Sequence, residues 1–216
     1  MRMKRTDSLK QAQNALVSLH GVGLIGMALP LTFPYFRLLT PYFLLTCFAL
    51  LALFHKPGLS VRTTVYFVFV ALAGFLVEWW GVSTGLVFGS YAYDSGLGPK
   101  FQETPLLIGL NWLFLVYASA ATVQRWKLPV FLQILLPALF MLVYDLVLEQ
   151  LAPRLGLWQF EGGLVPLQNY LAWFGLAFVF HALLRFFRIR FQNPLAVWVL
   201  VLQFVFFTVL YLILPR

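Results

Sequence analysis

Seven long stretches of this chain carry no Lys, Arg, Asp or Glu, and they constrain the fold more than any other feature. They run Gln11–Phe36, Leu38–Phe54, Thr63–Val77, Thr104–Gln124, Leu128–Tyr144, Gly162–Phe180 and Phe191–Pro215. A helix needs roughly 20 mostly apolar residues to cross a bilayer. Across the 216 residues, 62% are hydrophobic and 10% are charged, against about 25% charged in an ordinary soluble domain. A soluble enzyme, a disordered chain and a disulfide-built secreted module are thereby excluded. Cys47 is the lone cysteine, which excludes an internal disulfide and a cysteine metal site. The net charge of +8 does not mark a nucleic-acid binder. The basic residues stand at the ends of apolar runs, where topology signals belong. The expected fold class is all-α: a polytopic membrane helix bundle, with residues 1–216 forming one integral membrane domain.

Seven transmembrane helices are predicted, near 12–33, 36–54, 64–82, 105–124, 129–150, 167–187 and 194–214. Pro57-Gly58, Pro129, Pro153, Pro166 and Pro194 stand where helices should start or stop. The first run is long and lacks a small-x-small cleavage site after it, so it reads as a retained span rather than a signal peptide. Counting Lys and Arg sets the orientation. An inner N-terminus puts Arg2, Lys4, Arg5, Lys10, Lys56, Arg62, Arg125, Lys127, Arg185, Arg188 and Arg190 inside, and Arg37, Lys100, Arg154 and Arg216 outside. The expectation is a multi-pass protein of the inner or plasma membrane with residues 1–11 as a cytoplasmic basic tail. The loops 83–104 and 151–166 then lie on the outer side. The last span is almost wholly apolar and is expected to face lipid.

The acidic residues are seven: Asp7, Glu78, Asp94, Glu103, Asp145, Glu149 and Glu161. At 1.5 Å per residue, Glu78 lies roughly 20 Å along the third span and Asp145 roughly 24 Å along the fifth, both running outward. Asn111 and Asn169 lie early in spans four and six, which run inward. Depth therefore gathers groups that sequence order scatters. Ala71, Gly74, Glu78 and Gly81 follow one another at three, four and three residues, a small-residue stripe suited to close helix packing. Asp145 and Glu149 share a face four apart, as do Asn169 and Trp173. Such groups can simply bind helices together. An acid within a membrane, however, is costly and usually has a task. Burial in a low dielectric favours the neutral carboxyl group, and a neutral acid in a dry aromatic pocket is a proton donor.

The loop from Gly81 to Asp94 combines glycines with Tyr91 and Tyr93, and the loop after the fifth span carries Trp158, Glu161, Gly162 and Gly163. Both are expected over the acidic cluster. A retinal protein would need a lysine within the last helix, and Lys4, Lys10, Lys56, Lys100 and Lys127 all lie outside the spans. His20, His55 and His181 are isolated, unlike the clustered ligands of a membrane di-iron enzyme. Asp7, Asp94 and Asp145 are too dispersed to hold diphosphate through magnesium. No phosphate-cradling glycine loop is present. Metal-free, cofactor-free acid–base chemistry on an apolar molecule remains. The 23 Phe, 9 Tyr and 7 Trp include faces able to shield a cation.

Glu78 followed by Gly81-Val-Ser-Thr-Gly85-Leu-Val-Phe-Gly89-Ser-Tyr91-Ala-Tyr93 resembles a signature of the carotenoid biosynthesis protein family. So do Asp145-Leu-Val-Leu-Glu149, Leu157-Trp158 and Val165-Pro166-Leu-Gln-Asn169-Tyr-Leu-Ala-Trp173. The matching stretches cover about 78–112 and 145–173. Where family members often carry Asp-Pro, this chain has Glu149-Gln150. The resemblance implies a carotenoid hydratase, a hydro-lyase that adds water to the terminal double bond of an acyclic end group to give a tertiary alcohol. The implied substrates are of the lycopene, γ-carotene or bisanhydrobacterioruberin type. Glu78, Asp145 and Glu149 are the expected catalytic residues. Asn111, Asn169, Tyr91, Tyr93, Trp79, Trp112, Trp158 and Trp173 are expected to position substrate or water. The expected partners are the carotenoid, membrane lipid and neighbouring pathway enzymes. A proton-initiated end-group cyclase and a non-catalytic carotenoid-binding subunit stand as alternatives.

Overall fold

A computed structural model describes residues 2–215, with side chains from Asp7 onward. The helices in chain order are α1 (Arg2–Ala28), α2 (Phe33–Leu38), α3 (Thr40–Leu53), α4 (Val61–Thr84), α5 (Leu107–Val123), α6 (Val130–Glu149), α7 (Leu167–Phe186) and α8 (Ala196–Ile213). Among the described residues, four helices are long and apolar enough to cross a membrane: α4, α6, α7 and α8. At the helical rise of 1.5 Å per residue, the 14 residues of α3 and the 17 of α5 make rods of about 21 and 26 Å. Helices occupy every predicted stretch, but the first two stretches are divided differently. α1 starts at Arg2, so the expected basic tail is largely helical, and it stops before Pro30, whose ring cannot continue a helix. The short α2 then precedes α3.

α5 forms the axis, buried on nearly every face. α4 packs along it, α6 pairs with α7, and α8 lies against α1, α5 and α6. α4 begins where the Ser60 hydroxyl accepts the Thr63 N–H at 3.2 Å, an N-cap that satisfies one of the first free donors of the helix. It ends at Gly85, whose φ of 68° places it in the left-handed region that glycine adopts without strain. The small-residue stripe on α4 faces α5. A Cβ on Gly74 would lie 2.6 Å from the Trp112 Cβ, so only glycine lets the two helices approach this closely. Gly74→Ala is therefore expected to force α5 outward at a cost of about 1–3 kcal/mol, read as a lower unfolding midpoint in detergent. Gly175→Ala, with nothing within 4 Å, is the control and is expected to leave the midpoint unchanged or slightly raised.

The α8 expectation needs correction. Val199, Gln203, Phe206, Phe207 and Leu210 form a buried face, and the Tyr144 hydroxyl donates to Gln203 Oε1 at 3.3 Å. Apart from Gln203 and Thr208 the helix is apolar on every side, so hydrophobicity gives no periodic sign of which side packs.

Beyond the helix ends that carry Glu78, Asp145 and Glu149, the loops form two small sheets. β1 (Tyr91–Tyr93) pairs antiparallel with β4 (Trp158–Phe160), setting Tyr93 opposite Trp158 and Tyr91 opposite Phe160. β2 (Lys100–Phe101) and β3 (Thr104–Pro105) make a separate hairpin.

Candidate active site

Glu78 is 2% exposed on α4. Its Oε2 accepts the Tyr91 hydroxyl at 2.6 Å and the Tyr93 hydroxyl at 2.8 Å, and its Oε1 accepts the Trp112 indole N–H at 2.9 Å. Three donors thus converge on one carboxyl group from α5 and from the first loop. Burial, reinforced by the adjoining Glu78 carboxyl, pushes both phenols above their usual range. They therefore stay protonated and act as donors.

Asp145 and Glu149 stand one turn apart on α6 and are both buried. The Asn169 amide of α7 reaches both, donating to Asp145 Oδ2 at 3.1 Å and to Glu149 Oε1 at 3.0 Å. The two amide hydrogens can serve one carboxyl group each. Trp158 of β4 donates to Glu149 Oε2 at 2.9 Å. Asp145 Oδ1 is buried and has no partner among the described residues. No Lys or Arg forms an ion pair with any of these three acids among the described residues.

Aromatic contacts join the two groups. Trp112, which bonds Glu78, stacks on Trp173 with centroids 4.2 Å apart and planes 24° from parallel. Trp173 lies one turn beyond Asn169. Tyr93, which also bonds Glu78, meets the Trp158 ring edge-on at 5.8 Å. The β1–β4 pairing therefore holds the donors to Glu78 and Glu149 in one register.

An apolar cavity of about 320 Å³ adjoins the cluster, its wall including Asn111, Tyr144, Leu148, Leu157, Trp158 and Phe207. Tyr144 precedes Asp145, Leu148 precedes Glu149, and Trp158 bonds Glu149 directly. Leu44 and Asn111 also line a small, nearly filled apolar gap with Phe48, and Phe48 lines a further apolar hollow of about 460 Å³ beside His55 and Tyr117. Separate apolar hollows thus lie beside α3 and α5.

The structure brings together Glu78, Asp145, Glu149, Asn169, Tyr91, Tyr93, Trp112, Trp158 and Trp173. Asn111 lines the cavity wall. Trp79 is not in the cluster. Its indole donates to Gln102 Oε1 at 2.7 Å, because successive helical residues point about 100° apart. Glu161 is exposed in a 3-10 turn after β4. The histidines are separate: His20 bonds the Leu16 carbonyl, His55 the Tyr117 hydroxyl, and His181 both Ser119 and the Ala177 carbonyl. The reading of the sequence missed the cavity walls given by α1, α2, α3 and α8, which are apolar residues without distinguishing pattern. It also missed the strand pairing, although Tyr91-Ala-Tyr93 and Trp158-Gln-Phe160 both alternate aromatic residues at period two, the signature of a strand.

No curated protein and no solved structure matches the chain. Residues 39–215 match the carotenoid biosynthesis protein family, a stretch that starts at the head of α3 and contains every residue of the acidic cluster. Since that match spans most of the 216 residues, the chain belongs to the carotenoid biosynthesis protein family.

Proposed function

We propose that this protein is a carotenoid hydratase that protonates the terminal double bond of an acyclic end group and adds water to the resulting cation. The observation that carries this reading is a set of three buried carboxyl groups without cationic partners among the described residues, held by neutral donors beside an apolar cavity. Asp145 is the acid. Its Oδ1 has no hydrogen-bond partner among the described residues and so can carry a proton toward substrate. Its O–H bond breaks as a C–H bond forms at the less substituted alkene carbon, leaving a tertiary cation. Glu78, fixed by three donors, supplies negative charge close to the cation. The stacked Trp112 and Trp173 faces add cation–π stabilisation. Water bonds to the cationic carbon and gives up a proton to Glu149, and the Asn169 bridge keeps Glu149 close enough to Asp145 to return it. The net change is one water, so this sequence of steps calls for no redox partner. Trp158 stands between the cavity and Glu149, and its indole must shift as the end group enters.

The apolar hollows beside α3 and α5 suit the rest of a long polyene. In this reading the chain crosses the plasma membrane seven times with a cytoplasmic N-terminus, and the acids act near the outer face. Neighbouring enzymes of the pathway would hand over the insoluble substrate within the bilayer. Expression in cells that accumulate lycopene or γ-carotene, followed by mass analysis of the pigment, tests the activity. A product heavier by one water is expected. An isomeric product would instead identify a cyclase, and unchanged pigment would leave only a binding role.

A further inference from the structure

At the end of the bundle away from the acids, the α3–α4, α5–α6 and α7–α8 connections border an open polar hollow of about 540 Å³. Lys56, Lys127, Arg185 and Arg190 line it, with Gln124 and Gln133, and no Asp or Glu lines it among the described residues. Four cations in one hollow repel each other unless an anion joins them. The cavity is also built. Lys56 and Gln192 exchange backbone hydrogen bonds at 3.0 and 2.6 Å, fixing two of the connections together. Gln124 Oε1 accepts the Phe191 N–H at 3.2 Å, which commits the Gln124 amide nitrogen to donating. That nitrogen and Arg185 Nε are both buried without a partner among the described residues. Buried donors are ordinarily satisfied, and one left over points to a ligand or water. Retention of positive charge on one side of a membrane needs only basic loops. Arg125 serves that purpose without lining the cavity, as does Arg62.

We propose that this cavity binds a phosphate-bearing anion, the chemistry shared by an anionic phospholipid headgroup and soluble diphosphate. The site is independent of the carotenoid reading. Its oxygens would accept from Arg185 Nε and the Gln124 amide while the lysines and Arg190 neutralise its charge. The test uses the full-length protein in nanodiscs with two probes. Native mass spectrometry measures retained phosphatidylglycerol. Thermal unfolding in phosphatidylcholine discs measures stabilisation by inorganic diphosphate. The double change Lys127→Gln/Arg190→Gln is expected to weaken binding about tenfold or more. Arg62→Gln/Arg125→Gln, which removes equal charge outside the cavity, is expected to leave it unchanged. Gln124→Glu keeps the acceptor for Phe191 but replaces the donor with an acid, and is expected to abolish binding even if the double variant folds poorly. Specific retention of phosphatidylglycerol identifies a headgroup site, and specific stabilisation by diphosphate identifies a soluble ligand. Binding of neither probe, or equal weakening by Arg62→Gln/Arg125→Gln, overturns the proposal.

Discussion

Asp145→Asn is expected to lower pigment conversion by about a hundredfold or more, the usual contribution of a positioned general acid. The substitution is nearly isosteric, and its carbonyl oxygen can still accept from Asn169, now held at 3.1 Å from Oδ2. Folding and membrane insertion should therefore survive while the transferable proton is lost. Conversion is measured by mass analysis of extracted pigment, normalised to the amount of protein in the membrane. Conversion at the unmodified level would remove Asp145 from the chemistry and with it the proposed order of proton transfer.

Glu78→Leu is expected to have the largest effect on stability. The leucine would leave the Tyr91 and Tyr93 hydroxyls and the Trp112 indole N–H without their acceptor. Each orphaned buried donor costs about 1–3 kcal/mol, so the unfolding midpoint should fall by on the order of 10 °C. Glu78→Gln behaves differently, since its amide retains one acceptor oxygen. It should lose less stability but still lose conversion, because the negative charge beside the cation is gone. The comparison separates the two tasks of one carboxyl group. A leucine variant as stable as the parent would mean that the loop is held by other contacts.

Much of this site was legible because its residues obey helical periodicity. The spacing of Ala71, Gly74, Glu78 and Gly81 turns Glu78 toward α5, and Trp112 is found against Gly74 and on Glu78. The four-residue intervals of Asp145–Glu149 and Asn169–Trp173 bring α6 and α7 together through Asn169. Adjacency in sequence misled at Trp79, which shares neither the face nor the partners of Glu78. The packed side of α8 was hidden for another reason. In a helix without polar residues on its lipid side, hydrophobicity cannot distinguish a neighbour's methyl groups from acyl chains. The cavity is equally silent, since Phe43, Leu44 and Phe206 look like any other apolar positions.

The strand Trp158–Phe160 lies far along the chain from the strand Tyr91–Tyr93 that it accompanies. During synthesis, Glu78 thus emerges well before the lid over it can be zipped shut. The donors to Glu78 are all in place by Trp112, but until Trp158–Phe160 arrives Tyr91 and Tyr93 lack the strand that holds their register. The cover over the acids therefore closes only after α6 and the chain beyond it have been made.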